Sequence, residues 1–180
     1  SSFVSQRTAT LFGLTVGIIG ICERYGLKDK AVDFIKKLSK LTTGGLLSVW
    51  LIIRTLSAAF SLRLGGHVQF IRPIILPMAE GAAYAKFGEI DEKGEDEIKG
   101  AAAATENYGN FYGQNCFMGA SGTLLIVSTL VAQGYEVDAL QIAMASWPIA
   151  IVSMVVGIVM NFFVDRRLVA RYAKKSPTAK

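Results

Sequence analysis

Two long stretches of this chain contain no charged residue and no histidine. The first runs from Asn107 to Tyr135 and the second from Ala139 to Val164. A helix needs about 20 apolar residues to cross the hydrocarbon core of a bilayer. The pattern therefore predicts two membrane spans joined by a short turn at residues 133–138, and Pro148 predicts a kink in the second span.

The first of these spans opens with a polar segment, Asn107–Asn115, which is rich in amides, aromatic residues and glycines. Such a segment is poorly suited to face lipid. It is typical of a membrane helix that breaks to build a polar site in the protein interior. We expect Gly100–Glu106 to be helical, the break to fall at Asn107–Asn115, and Phe117–Gln133 to complete the crossing.

The preceding region predicts a further span, a surface helix and a hairpin. Thr8–Cys22 is apolar with glycines at helical spacing, which favours close helix packing in membranes. Lys28–Leu41 has one apolar and one basic face, as a helix in the membrane interface does. Gly44–Leu62 and Ile74–Phe87 are not comfortable single spans. Because they flank a Gly-Gly pair at 65–66, they predict a re-entrant hairpin with its tip at these glycines.

Composition supports a membrane protein. The chain is 52% hydrophobic and 18% charged, with a mean hydropathy of +0.41, whereas a soluble domain is about 25% charged. We predict an all-α integral membrane protein, with a single transmembrane domain at residues 1–168 and a basic tail at 169–180. The chain has no initiator Met and opens almost directly into an apolar run, so we expect that upstream N-terminal helices are missing.

The basic residues predict the orientation. The net charge is +5, and Lys and Arg cluster in residues 28–40 and 166–180, while the turn at 133–138 has none. By the positive-inside rule both clusters and the C-terminus are cytoplasmic. We expect Gly88–Lys99 to be a charged cytoplasmic loop. Basic clusters that flank hydrophobic spans do not favour nucleic-acid binding, and Cys22 and Cys116 are expected to be free thiols.

Several polar motifs point to a known family when they are taken together. They are Glu23–Lys28, Leu62–His67, Gln69–Pro73, Pro77–Glu80, Glu106–Phe111 and Gly113–Asn115. With them, the chain from Thr8 to Leu168 resembles the smaller membrane subunit of a bacterial two-subunit 5-oxoproline (pyroglutamate) transporter. More distantly, the order of elements is similar to one repeat of the ion transporter superfamily.

This resemblance implies a subunit of a secondary transporter in the bacterial cytoplasmic membrane. The protein would take up a small carboxylate, with 5-oxoproline as the expected substrate, by alternating access. Since the chain would supply only one repeat, its expected partners are the lipid bilayer, a second transporter subunit and the small anionic substrate. No cofactor or metal is expected, and the coupling ion is either Na⁺ or H⁺.

Arginines near the hairpin are candidates for binding the substrate carboxylate. Arg63 and Arg72 are favoured because a guanidinium group donates two parallel hydrogen bonds to a carboxylate. Arg54 is a weaker candidate because it lies on an arm of the hairpin. A charged side chain within a membrane is energetically costly, so each of these arginines is a candidate for a functional role. The alternative is a structural ion pair with Glu80 or Glu106, or extension of the side chain to the interface.

The hairpin tip and the predicted break supply the remaining candidates. Glycines allow backbone N–H groups to approach an anion, and the single histidine either binds substrate, relays a proton or makes a structural hydrogen bond. Side-chain amides can bind the lactam or a Na⁺, although packing between helices would also satisfy them. The substrate set adds Gly65, Gly66, His67, Gln69, Asn107, Asn110, Gln114 and Asn115, and the candidate ion set is Asn110, Asn115, Ser121 and Thr123.

The alternatives to transport are a structural subunit of a membrane complex and, less favoured, a membrane-embedded enzyme. No zinc-protease or nucleophile-elbow motif is present, and the only histidine is His67. Glu80 and Glu106 could form a carboxylate pair, and Cys116 could act as a nucleophile. The sequence shows no further catalytic residues arranged around either of them. A channel is disfavoured because a deep interrupted site suits alternating access better than continuous flow. Because no catalytic motif is visible, we expect no enzymatic activity.

Overall fold

The structure, a computed structural model, describes residues 41–62, 64 and 66–173. Within these ranges every regular element is a helix, so the all-α prediction is confirmed at this level. The predicted span Thr8–Cys22 lies outside the described residues, as does all of Lys28–Leu41 except its last residue. The helices are α1 (Thr43–Ala59), α2 (His67–Ile75), α3 (Leu76–Phe87), α4 (Glu92–Gln114), α5 (Ser121–Ala132) and α6 (Ala139–Tyr172).

The chain reverses between α1 and α2, so the two arms of the predicted hairpin pack antiparallel. Near the reversal, the rings of Trp50 and Phe70 stack with centroids 5.1 Å apart. At the far end, the Thr43 hydroxyl donates to the backbone carbonyl of Ala79 over 2.9 Å. The hydrophobic core lies between these arms, α4 and the end of α6, and it includes Leu47, Trp50, Phe70, Ile75, Ile98 and Leu168.

Helix α2 has π-helical hydrogen bonding and runs directly into α3. The N–H groups of Gln69, Phe70 and Ile71 all donate to the carbonyl of Gly66, over 3.2, 2.9 and 3.4 Å. Pro73 lies inside this segment and has no N–H to donate. Long π-helical stretches are rare, and π-helical turns occur frequently at functional sites.

The N-terminus of α1 is held by a carboxylate on α6. Asp165 accepts hydrogen bonds from the Gly44 N–H over 2.8 Å and from the Thr42 hydroxyl over 2.5 Å. The helices approach so closely here that a Cβ on Gly44 would lie 2.1 Å from the Asn161 carbonyl oxygen. The first turn of α1 is therefore capped by a distant part of the chain.

Removal of this cap should weaken the fold measurably. Asp165→Ala is expected to lower the free energy of unfolding by about 1–2 kcal/mol, because the Gly44 N–H loses its acceptor at the helix N-terminus. Chemical unfolding in detergent, followed by tryptophan fluorescence, would measure the change. Glu136→Ala, in the exposed turn before α6, is the control and should leave stability unchanged. An equal stability of both variants would contradict the capping role.

The prediction that Gly88–Lys99 is a loop is wrong, because α4 already begins at Glu92. Asp91 caps it by accepting the Gly94 N–H over 2.9 Å. Acidic residues in a first turn favour a helix because they complement its positive end. The pKa of Glu95 is lowered by a hydrogen bond from the Tyr84 hydroxyl and by Lys99, its neighbour one turn along the helix. The density of charge therefore marks a helix N-terminus.

The prediction of a helix break at Asn107–Asn115 is wrong, and the interruption lies later in the chain. Helix α4 continues through Asn107 to Gln114, and the non-helical segment is residues 115–120. The glycines of the polar stretch serve helix contact instead of a break. A Cβ on Gly109 would lie 2.9 Å from the Arg54 Cβ, and one on Gly113 would lie 2.5 Å from the Thr55 carbonyl oxygen. Glycine at these positions lets α4 pack directly against α1.

Among the described residues, α6 is the one helix that is long and apolar enough to cross a membrane. It has 34 residues, continues through Pro148 and ends eight residues beyond the predicted Val164. Helices α1 and α5 are apolar but shorter, with 17 and 12 residues. The end of α6 is anchored, since Tyr172 is buried and its hydroxyl donates to Asp91. Residues 169–172 of the predicted tail are therefore part of this helix.

Candidate functional site

A cavity of about 900 Å³ lies where the hairpin tip meets the non-helical segment after α4. Its walls come from the end of α1, the start of α2, the second half of α4 and the start of α5. Polar side chains and backbone face it from all four. Eight of the residues predicted from sequence border this one cavity: Gly66, His67, Gln69, Asn107, Asn110, Gln114, Asn115 and Ser121.

Other predicted residues are not brought to this cavity. Arg72 is exposed on α2 and does not line it. Thr123 is buried within α5 and does not line it either. Arg63 and Gly65 lie outside the described residues. The structure therefore groups the amides and the tip histidine and leaves Arg72 apart.

The buried ionisable groups at the cavity wall form a closed hydrogen-bonded cluster. Arg54 Nε donates to Glu106 Oε1 over 2.6 Å, and the indole N–H of Trp50 donates to Glu106 Oε2 over 3.2 Å. Arg54 Nη2 donates to Asn110 Oδ1 over 2.5 Å. Both ions are almost fully buried. The structural alternative for Arg54, an ion pair with Glu106, is the arrangement observed.

This cluster bears on the candidate ion set. A Na⁺ binds oxygen ligands, but the side-chain oxygen of Asn110 already accepts from the positively charged Arg54. A second cation at the same oxygen would be repelled. Of the other proposed ion ligands, Thr123 lies away from the cavity, whereas Asn115 and Ser121 border it. Asn110 is therefore better placed to serve a ligand through its amide nitrogen.

His67 links the hairpin tip to α4. Its Nε2 lies 3.0 Å from Asn107 Oδ1, across the edge of the cavity. The bond is accessible to solvent, because Asn107 is exposed and His67 is partly exposed. A structural hydrogen bond is one of the roles that the sequence leaves open for His67. The bond observed here positions the start of α2 beside α4.

Two helix N-termini border the cavity, and neither has a side-chain cap. Helix α2 starts behind Gly66 and α5 starts behind Ala120, and these two residues offer no side-chain acceptor. In α5 the first N–H bonded within the helix is that of Leu124, to the Ala120 carbonyl over 2.9 Å. The first N–H groups of a helix lack internal partners, and the positive end of the helix dipole favours anions there.

Sequence reasoning missed the second of these N-termini. Because the sequence predicts the break at Asn107–Asn115, it does not predict that a helix starts at Ser121. The cavity-lining residues Ala120 and Gly122 at this start are therefore absent from the predicted set. An apolar residue before the first turn was the available signal, because a helix start without Ser, Thr, Asp or Asn leaves its N–H groups uncapped. Among the described residues, no three side chains of the types that bind metals come together.

Comparison with known proteins places the chain in a family. Residues 1–169 match DUF969, described as a protein of unknown function. Because the match covers nearly the whole chain, the protein belongs to this family. No curated protein and no solved structure matches the chain.

Proposed function

We propose that this protein is a subunit of a bacterial secondary transporter that takes up a small carboxylate. The observation that carries the proposal is one cavity bordered by two uncapped helix N-termini from separate segments, at Gly66 and Ala120. Helix N-termini attract anions through their free N–H groups and their dipoles. The amides around them supply donors and acceptors for the rest of a small polar ligand.

The charges at the described walls are compatible with the same ligand class. Arg54 and Glu106 neutralise each other, so this pair neither attracts nor repels a ligand carboxylate through a net charge. Backbone N–H groups then provide the attraction without an unpaired buried charge, which would be costly in a membrane. The proposed substrate is 5-oxoproline, which the sequence resemblance implies, because it combines one carboxylate with one lactam.

The proposal includes a place for each helix in the bacterial cytoplasmic membrane. Helix α6 is a span with its C-terminus in the cytoplasm, and α1 with α2 and α3 form a re-entrant hairpin. Helix α5 alone is about 18 Å long, shorter than the roughly 30 Å hydrocarbon core. It completes a crossing together with the second half of α4. The non-helical segment 115–120 is acceptable at membrane depth because three of its residues, Asn115, Phe117 and Ala120, line the cavity.

A second subunit is part of the proposal. The outward face of α6 carries many exposed apolar side chains, such as Met144, Val152, Val156 and Phe163, and it would contact lipid or that subunit. Alternating access would then be a movement of the present helices against the partner. The protein would act as a transporter without enzymatic activity, coupled to Na⁺ or H⁺.

Filling the cavity should stop transport while the fold is kept. Gly122 borders the cavity, and a Cβ there would meet only Asn115 Oδ1, at 3.9 Å. Gly122→Leu is therefore expected to fold and to reduce uptake by about tenfold or more, because its side chain occupies ligand space. The measurement is uptake of labelled 5-oxoproline in cells that express the intact operon. Gly81→Leu, at a helical glycine with open space around it, is the matched control.

Deletion of this subunit tests the function itself. Uptake should be lost on in-frame deletion and restored by complementation with the wild-type chain. Persistent uptake after deletion would contradict the proposal. If uptake is lost on deletion but Gly122→Leu takes up 5-oxoproline like the wild type, the transport function is supported and this cavity is not the ligand site.

A further inference from the structure

The amide of Asn110 has an orientation that its neighbour decides. Its side chain lies 2.5 Å from Arg54 Nη2. A guanidinium group only donates hydrogen bonds, so the atom facing it must be the carbonyl oxygen. Arg54 is itself fixed by Glu106 and buried against α4. The amide NH₂ group is therefore the part of Asn110 that is left for the cavity.

Asn115 is fixed in the opposite sense. Its side chain lies 2.9 Å from the backbone carbonyl oxygen of Phe111. A carbonyl only accepts, so the atom facing it must be the amide nitrogen. The side-chain oxygen then points away, toward the start of α5, where it lies 3.9 Å from the position of a Cβ on Gly122. Asn115 thus presents an acceptor to the cavity.

We infer that Asn110 donates a hydrogen bond to the ligand and that Asn115 accepts one. The inference rests on the proposed transport function and deepens it, because it states which polar groups the ligand must carry. Beside its carboxylate the ligand needs one hydrogen-bond acceptor and one N–H donor. The cluster of Trp50, Glu106 and Arg54 acts as a positioning group, since it sets which end of the Asn110 amide faces the cavity.

The two roles make different predictions for analogues. A lactone carboxylate that replaces the ring N–H of 5-oxoproline by oxygen keeps the acceptor and loses the donor. In the wild-type transporter it should compete with labelled 5-oxoproline about 10–100-fold less well, because the Asn115 oxygen is left without a donor. A site that hydrogen-bonds a substrate group rejects the analogue that lacks it.

Variants of the two asparagines separate their roles. Asn115→Leu removes the acceptor, so the lactam and the lactone should compete almost equally. Asn110→Asp keeps an acceptor for Arg54 but cannot donate. It should weaken both ligands about 10-fold or more and leave the ratio between them unchanged. The assay is competition against labelled 5-oxoproline in cells expressing the intact two-subunit transporter.

The outcomes distinguish this inference from the proposed function. If the wild-type transporter takes up 5-oxoproline and the lactone competes equally well, the assignment of Asn115 is wrong and the function stands. A ratio unchanged by Asn115→Leu, or full uptake by Asn110→Asp, would likewise overturn the assignment alone. If the wild type does not take up 5-oxoproline, the function and this inference fall together.

Discussion

Replacement of Arg54 by methionine is expected to lower the free energy of unfolding by about 3–5 kcal/mol, because it leaves the Glu106 carboxylate buried without its counter-ion. The two side chains are 8% and 3% exposed and meet at 2.6 Å. Removal of the guanidinium also takes the donor from Asn110. The wall of the cavity then loses the group that orients its amide, so uptake should be lost as well.

Unfolding of the purified protein in detergent would measure this effect. Lys99→Met is the control, because it breaks an exposed ion pair with Glu95 one helical turn away, and such pairs add little to stability. Adding Glu106→Gln to Arg54→Met should recover much of the loss. The glutamine removes the uncompensated charge and still accepts from Trp50. An Arg54→Met protein as stable as Lys99→Met would show that water reaches Glu106.

Replacement of Gly113 by alanine is expected to lower the free energy of unfolding by about 1–3 kcal/mol through overpacking. Its Cβ would lie 2.5 Å from the Thr55 carbonyl oxygen and 2.8 Å from the Ala58 Cβ. These are backbone and first side-chain atoms of α1, which cannot rotate away. Helix α4 would have to shift outward, and Gln114 and Asn115 would move with it at the cavity.

A matched control lies in the same helix. No heavy atom of a neighbouring segment lies within 4 Å of the position that a Cβ on Gly100 would occupy. Gly100→Ala should therefore stabilise α4 by about 0.5–1 kcal/mol through the better helix propensity of alanine. Thermal unfolding of both variants in one detergent would compare them. Opposite signs at the two glycines are expected. A stabilising effect at both would mean that α1 and α4 do not touch at Gly113.

Much of the fold follows from local patterns in the sequence. Apolar runs predict the helices α1, α5 and α6, because helix formation in such segments depends on the residues of the segment itself. The chain reverses between α1 and α2, as the two predicted arms require, while Gly65 at the predicted tip lies outside the described residues. Polar residues in an apolar context predict where the cavity lies, and eight of them border it. The sequence resemblance adds the substrate class, which stays a prediction.

The two errors about α4 have different physical origins. A glycine such as Gly109 or Gly113 is equally consistent with a helix break and with close contact between helices, and the choice depends on what packs opposite. The acidic segment is different, because its signal is local. Asp91 accepts the Gly94 N–H, and Glu92 and Glu95 lie in the first turn of α4, where they complement the positive end of the helix.

Local patterns in the sequence are enough to predict the helical class of the described residues and the set of polar residues available for a site. Three features appear only when the segments pack together: the ion pair of Arg54 with Glu106, the meeting of two uncapped helix N-termini at one cavity, and the position of Arg72 outside it. Helix propensity and hydrophobic pattern are local properties. The partner of a buried charge and the direction of an amide depend on segments that meet only after folding, so they are not encoded in any one segment alone.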